Sequence, residues 1–198
     1  MSLLLAVALG PAQAAAETWF DALIARVGNE PILLSDVILH EALFRSGKLY
    51  SDMTREEREA ALVHLIQRRL LLTEAARFGV ARPDDAQVEQ AAAVLKKRVQ
   101  AYQINIGDAA LNEKVREQLW VEAFIGQRIT AFVMIRSAEV EAALEAEGGP
   151  KKGESGADAR TRVRQQLSDR EASERLARFL ARLYARAEVK RYPLKTQP

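Results

Sequence analysis

The pattern of hydrophobic and polar positions at the start of the chain differs from the pattern that follows it. Residues 22–37 read ALIARVGNEPILLSDV, in which two short apolar runs flank Gly-Asn-Glu-Pro. Turn-forming residues between short apolar runs predict a β-hairpin. Because a two-stranded hairpin is only marginally stable on its own, the pattern requires another element that pairs with it.

From residue 35 onward the apolar spacing is that of amphipathic helices. Ser35 is the predicted N-cap of the first helix, which stops near Gly47, and residues 54–57 form a capping box that opens a long second helix. Four more helices are predicted to begin at residues 84–85, at 107–108, at Ser137 as an N-cap, and beyond the linker 148–156. Trp120 and Phe124 are assigned to the core.

The end of the chain supplies the partner for the hairpin. Residues 187–193 include Val189 and Tyr192, which favour an extended conformation. We predict that this run pairs with the hairpin in a three-stranded sheet. The predicted fold class is therefore mostly α, an irregular helical domain with a small β-sheet formed by an N-terminal hairpin and a C-terminal strand.

Composition is compatible with one globular domain or one domain with an appendage, since 48% of the 198 residues are hydrophobic and 28% are charged. The chain has no cysteine, which excludes disulfides and thiolate sites. Charge is unevenly distributed: residues 1–150 carry 16 basic against 21 acidic side chains, whereas residues 151–198 carry 13 against 6. A basic C-terminal segment suits an anionic partner or a solvated helix face.

The N-terminus has the features of an export signal. An apolar run at residues 3–9 is followed by Gly-Pro and then by small residues around Ala14 and Ala16. This order is typical of a cleavable secretory signal peptide, and the run is too short to span a membrane. No Lys or Arg precedes it, so the n-region is atypical. We assign residues 1–16 to a signal peptide and predict a periplasmic protein without a transmembrane segment.

Catalytic chemistry finds no support in the sequence. His40 and His64 are the only histidines, and Phe44 stands where a zincin motif starting at His40-Glu41 needs its second histidine. Gly148 and Gly153 have P-loop spacing, but Glu154 replaces the required lysine. We therefore predict no enzyme activity, no catalytic residues, no metal site and no cofactor.

Several segments in order resemble the chaperone module of SurA-type periplasmic folding factors. Residues 24–37 are similar to the pattern V-A-x-V-N-x-x-x-I-x-x-S-D-V that opens those proteins, and residues 65–80, LIQRRLLLTEAARFGV, resemble their long helix. Arg128-Ile129 with residues 137–140 is similar to the end of the N-terminal region, and the last helix with AEVKRY resembles the returning C-terminal segment. The resemblance covers most of residues 22–194.

The resemblance implies a chaperone without its usual isomerase. In the family, parvulin prolyl-isomerase domains lie between the two core segments, whereas only a short linker stands there in this chain. The implied organisation is a chaperone region at 17–147, a linker at 148–158, and a C-terminal helix and strand at 159–198 that complete the same core. The expected function is ATP-independent holding of unfolded or extended polypeptides, with outer-membrane proteins as a candidate client class and self-association left open.

Client binding requires exposed apolar side chains that can adapt to different partners. The candidates lie in predicted loops and at helix edges: Phe44, Tyr50, Met53, Tyr102, Ile104, Phe132 and Met134.

An alternative is an adaptor that docks a specific partner or an anionic surface through arginines spaced i, i+4 on the last helix, Arg178, Arg182 and Arg186. Nucleic acid is not expected as a partner. Nucleic-acid binding is the third and weakest hypothesis, and it requires residues 1–16 to be retained and the protein to stay in the cytoplasm.

Overall fold

A three-stranded antiparallel sheet joins the two ends of the chain. The computed structural model describes residues 21–45 and 52–192, and its strands are β1 (Leu23–Val27), β2 (Glu30–Leu33) and β3 (Val189–Arg191) in the order β2-β1-β3. The turn between β1 and β2 contains Gly28, whose φ of 57° favours glycine. The predicted hairpin and its C-terminal partner strand are confirmed, as is the mostly helical fold class.

Six α-helices make up most of the described chain: α1 (Leu34–Phe44), α2 (Arg55–Arg77), α3 (Asp85–Ala101), α4 (Asp108–Arg128), α5 (Ser137–Ala146) and α6 (Gly156–Tyr184). A 3₁₀ turn, Thr130–Phe132, follows α4. Since α6 begins at Gly156, the linker before it is shorter than the predicted 148–158. The prediction for residues 1–16 falls outside the described residues.

Three helix starts follow the sequence signals, at Thr54, at residues 84–85 and at residues 107–108, and two differ from them. Thr54 caps α2 by accepting from the Glu57 amide at 3.2 Å, and Glu57 accepts in return from the Thr54 amide at 2.8 Å, as predicted. Ser35 is not an N-cap, because its amide and hydroxyl are both bonded to Asp21. Instead Asp36 accepts from the Leu33 amide, and α1 begins at Leu34, two residues earlier than an N-cap at Ser35 predicts.

The start of α5 is a similar correction. Ser137 is the first residue of α5 instead of its cap, and Arg136 holds the cap position. The Arg136 amide donates to the Glu139 carboxylate at 2.8 Å. A carboxylate three residues into the helix thus supplies the acceptor that the sequence assigned to a hydroxyl.

The main core lies where the sheet, α2, α4 and the C-terminal part of α6 meet. Phe124 is fully buried and contacts Phe78 and Phe179, and Trp120 donates its indole N–H to the Val80 carbonyl at 2.9 Å. Both core assignments are confirmed. A second apolar cluster joins the end of α1 to α3 and the start of α4, around Leu43, Val88 and Leu111.

A third apolar cluster is separate from the first two. Val140 and Leu144 of α5 pack against Ala159 and Val163 of α6. We call α5 together with residues 156–167 of α6 the arm. Because α6 continues from the arm into the main core, this one helix belongs to both.

Candidate functional site

The structure separates the predicted client-binding residues into exposed and buried groups. Met53 is wrong as a binding residue, because only 5% of it is exposed and it packs in the main core. Phe44 and Ile104 are half-buried against the second cluster, so they serve the core at least in part. Tyr50 lies outside the described residues, and Tyr102 is exposed at the end of α3.

Phe132 and Met134, two residues apart in the chain, are the most exposed of the candidates within the described residues. Phe132 is 60% exposed and Met134 is 85% exposed, although both are large apolar side chains. They belong to the connection between α4 and α5, residues 129–136, which contains the 3₁₀ turn. Ile129, at the start of this connection, is buried.

Met134 lies on one wall of a surface cleft of about 510 Å³ between this connection and α6. We call it the junction cleft. Ile135 and Leu167 complete its apolar lining, and its charged lining residues are Glu139, Arg170, Glu171, Glu174 and Arg175. Phe132 is not part of this lining, but its carbonyl accepts a hydrogen bond from the lining residue Arg175 at 2.8 Å.

The charges around the junction cleft neutralise one another. Arg175 pairs with Glu171 at 2.6 Å and Arg170 pairs with Glu174 at 3.0 Å, each one turn apart on α6. The hydrogen bond from Arg175 lowers the pKa of Glu171, and the one from Arg136 lowers the pKa of Glu139. These carboxylates therefore stay ionised and paired at neutral pH. The exposed apolar side chains are then the part of this surface that could gain most from contact with another chain.

The arginines of the alternative hypothesis do not form one continuous stripe. Arg178 pairs with Glu171 at 3.5 Å and with Glu174 at 3.6 Å. Arg182 lies over the ring of Phe179. The prediction that Arg186 lies on the last helix is wrong, because α6 ends at Tyr184. The basic C-terminal segment is thus largely satisfied within the chain on this face.

A buried polar network links α1, α2 and α4 beneath the surface. Arg68, only 6% exposed, bonds to His40 Nδ1 at 3.1 Å, and its other bonds go to Gln118 Oε1, Glu117 Oε2 and the Lys114 carbonyl. Since a guanidinium can only donate, Nδ1 of His40 must accept, and the neutral ring carries its proton on Nε2. The cavity beside this network has a volume of only about 10 Å³, so the network holds helices together instead of a ligand.

We expect this network to make stability depend on pH. Burial first, and then the charge of Arg68, lower the pKa of His40 from 6.5 to about 3. The unfolded chain therefore takes up a proton before the folded one does. The contribution of His40 to the free energy of unfolding is complete above pH 6.5 and falls by about 1.4 kcal/mol per pH unit as the pH decreases toward 3. Urea unfolding across this range measures the slope.

The variant His40→Gln should lose most of that slope, because glutamine can still accept from Arg68 but does not titrate. The matched control is His64→Gln. His64 is half-buried, and its pKa is lowered by burial and by Arg45, so His64→Gln should also reduce the slope but by less than His40→Gln. An unchanged slope in His40→Gln would contradict the assignment of the buried histidine.

The pattern of the sequence did not reveal every residue of the junction cleft. Ile135 and Leu167 line it and Arg175 bonds across it, but none of these three was predicted as a site residue. The one available signal was the apolar run 130–135 directly after a long helix, too short for another helix. The contact of this run with α6, more than 40 residues later, depends on tertiary structure.

Neither a metal site nor a membrane-spanning helix is found in the described part of the chain. Within residues 21–45 and 52–192, no group of His, Asp and Glu side chains is arranged to hold a metal ion. In the same part of the chain no helix is both long and apolar enough to cross a lipid bilayer.

Comparison with known proteins does not extend the resemblance drawn from the sequence. No protein-family model matches the chain, and no curated protein matches it significantly. Membership of the SurA-type family therefore stays a prediction.

Proposed function

We propose that this protein is a non-enzymatic, ATP-independent chaperone that holds unfolded polypeptide segments in the junction cleft. The observation that supports this proposal most directly is the exposure of Phe132 and Met134, at 60% and 85%, beside a cleft of about 510 Å³. Contiguous exposed apolar surface with a polar rim is typical of sites that bind other chains. A periplasmic location and outer-membrane protein clients extend this proposal and rest on the signal-like N-terminus and the family resemblance.

The chemistry of the surface favours adaptable occupants over a single rigid ligand. Met134 is unbranched and polarizable, so it can repack around differently shaped apolar groups. The rim charges are already paired on α6, so a charged ligand would have to compete with existing ion pairs. The occupant with the best fit is an uncharged, apolar stretch of extended polypeptide.

Suppression of client aggregation tests the proposal. Citrate synthase is heated with the full chain, without ATP, and light scattering is followed at low and high salt. We expect the double variant Phe132→Ser, Met134→Ser to require on the order of tenfold more protein for equal suppression, because it removes two exposed apolar anchors. Suppression should change little with salt, since the contact is apolar.

The matched control is Val94→Ser, because Val94 is also a lone exposed apolar residue, at 71%, but lies on α3. It should suppress aggregation like the unmodified chain. Equal activity of the double variant and the control would contradict the cleft as the binding site. Suppression that disappears at high salt would instead favour the adaptor hypothesis and its arginines.

A further inference from the structure

One side chain connects the two walls of the junction cleft. The Arg175 guanidinium donates from Nε to Glu171 Oε1 at 2.6 Å on its own helix. From Nη1 it donates to the carbonyl oxygen of Phe132 at 2.8 Å, in the connection 129–136. Hydrogen bonds from a charged donor are stronger than neutral ones, and the two acceptors fix the plane of the guanidinium. Arg175 therefore attaches the connection to α6 at Phe132, two residues before Met134 in the wall of the cleft.

The middle of the connection has weaker ties than its two ends. Its 3₁₀ turn is closed by the Val133 amide on the Thr130 carbonyl at 3.0 Å and by the Phe132 amide on the Ile129 carbonyl at 3.4 Å. Phe132 and Met134 are largely exposed, so packing holds these two side chains little. At the two ends of the connection, Ile129 is buried and Ile135 packs against the apolar cluster of the arm. Between these ends, the hydrogen bond from Arg175 to the Phe132 carbonyl ties the connection to α6.

We propose that Arg175 is the positioning residue of the junction cleft, which holds the connection bearing Phe132 and Met134 at the distance from α6 that a bound polypeptide requires. This inference rests on the proposed function and identifies the residue on which the shape of the site depends. Loss of Arg175 leaves both apolar side chains in the sequence but lets the wall that carries them move. Binding should weaken although no binding side chain has changed.

Arg170 provides a matched control. It lines the same cleft and pairs with Glu174 at 3.0 Å on the same helix. Its charge and its ion pair therefore resemble those of Arg175, whereas its described bond stays within α6. Any effect of charge at the rim should be shared by Arg170→Gln and Arg175→Gln, and any effect of position should appear only in Arg175→Gln.

Hydrogen exchange and peptide binding, measured on the full chain, test the inference. Exchange is followed at the amides of Phe132 and Val133, and binding uses a fluorescein-labelled, uncharged, Phe-rich peptide. We expect Arg175→Gln to exchange about tenfold faster at these amides and to bind the peptide about tenfold more weakly, the ratio that follows from losing one charge-assisted hydrogen bond. Arg170→Gln should exchange at these amides like the unmodified chain, and any weakening of its binding measures the loss of one rim charge alone.

The variant Arg175→Lys should restore binding in part, because an ammonium group can reach the carbonyl but cannot form the same planar pair of bonds. Equal exchange in the two Gln variants would overturn the inference, as would faster exchange without weaker binding. If the unmodified chain does not bind the peptide but exchange increases only in Arg175→Gln, the proposed function fails while Arg175 still fixes the connection.

Discussion

Replacing Arg68 by alanine is expected to destabilise the protein by about 3–5 kcal/mol, the usual cost of removing one partner from a buried charged pair. Arg68 is buried and bonds to groups on both α1 and α4. Its removal leaves the Glu117 carboxylate, the Lys114 carbonyl and the His40 ring without this donor. Burial also lowers the pKa of Arg68, while Glu117 opposes that change, so the charge depends on its partner.

The neighbouring residue is the control for this prediction. Arg69 also pairs with Glu117, at 3.7 Å, but its side chain is 22% exposed. Arg69→Ala should therefore cost about 1 kcal/mol or less. Chemical denaturation followed by circular dichroism measures both. A loss of less than about 1 kcal/mol in Arg68→Ala would show that the network can relax or admit water, contrary to its role in holding α1, α2 and α4.

Replacing Phe124 by alanine is expected to cost about 3–5 kcal/mol, because it removes a large side chain from a core that can collapse only in part. Phe124 is fully buried, and its ring centroid lies 6.1 Å from that of Phe78 and 5.7 Å from that of Phe179. The cavity would open where α2, α4 and α6 meet. Thermal and urea unfolding should both detect the change.

Two further variants keep this prediction testable if Phe124→Ala does not fold. Phe124→Leu retains most of the volume and should cost less than the alanine variant. Phe132→Ala removes an equally large but exposed ring, so it should change stability by no more than about 0.5 kcal/mol. Similar losses in Phe124→Ala and Phe132→Ala would contradict the separation of core from binding surface.

The sequence predicted the parts of the fold that depend on local pattern. Two apolar runs around Gly28 and an extended tail at Val189 were sufficient for the sheet, because few other elements could complete a marginal hairpin. The capping box at Thr54 likewise fixed the start of α2. The prediction of Ser35 as an N-cap was wrong because its amide and its hydroxyl both donate to Asp21. That contact depends on how the hairpin meets α1.

The candidate site was predicted less well, since exposure depends on tertiary packing. Met53 and Met134 are the same residue type in predicted irregular segments, yet one is 5% and the other 85% exposed. Arg68 has no local signal either, because its partners lie 28 to 50 residues away. An arginine on a helix is ordinarily read as a solvated charge.

The distribution of charge also bears on the alternative function. Five arginines of α6 form ion pairs with carboxylates: Arg160, Arg162, Arg170, Arg175 and Arg178. The guanidinium groups at these five positions of the basic segment are thus already paired within the chain. The adaptor hypothesis stays open for Arg182 and Arg186, and the salt dependence of binding distinguishes it from apolar capture.

Site-specific crosslinking tests the central claim most directly. A photo-reactive phenylalanine analogue is placed at residue 134 in the full chain and, as the matched control, at residue 94, and each protein is irradiated with unfolding citrate synthase. The account predicts strong crosslinks from position 134, weak ones from position 94, and loss of the former when excess Phe-rich peptide competes. Equal crosslinking from the two positions, or crosslinks at 134 that the peptide does not reduce, would contradict binding in the junction cleft.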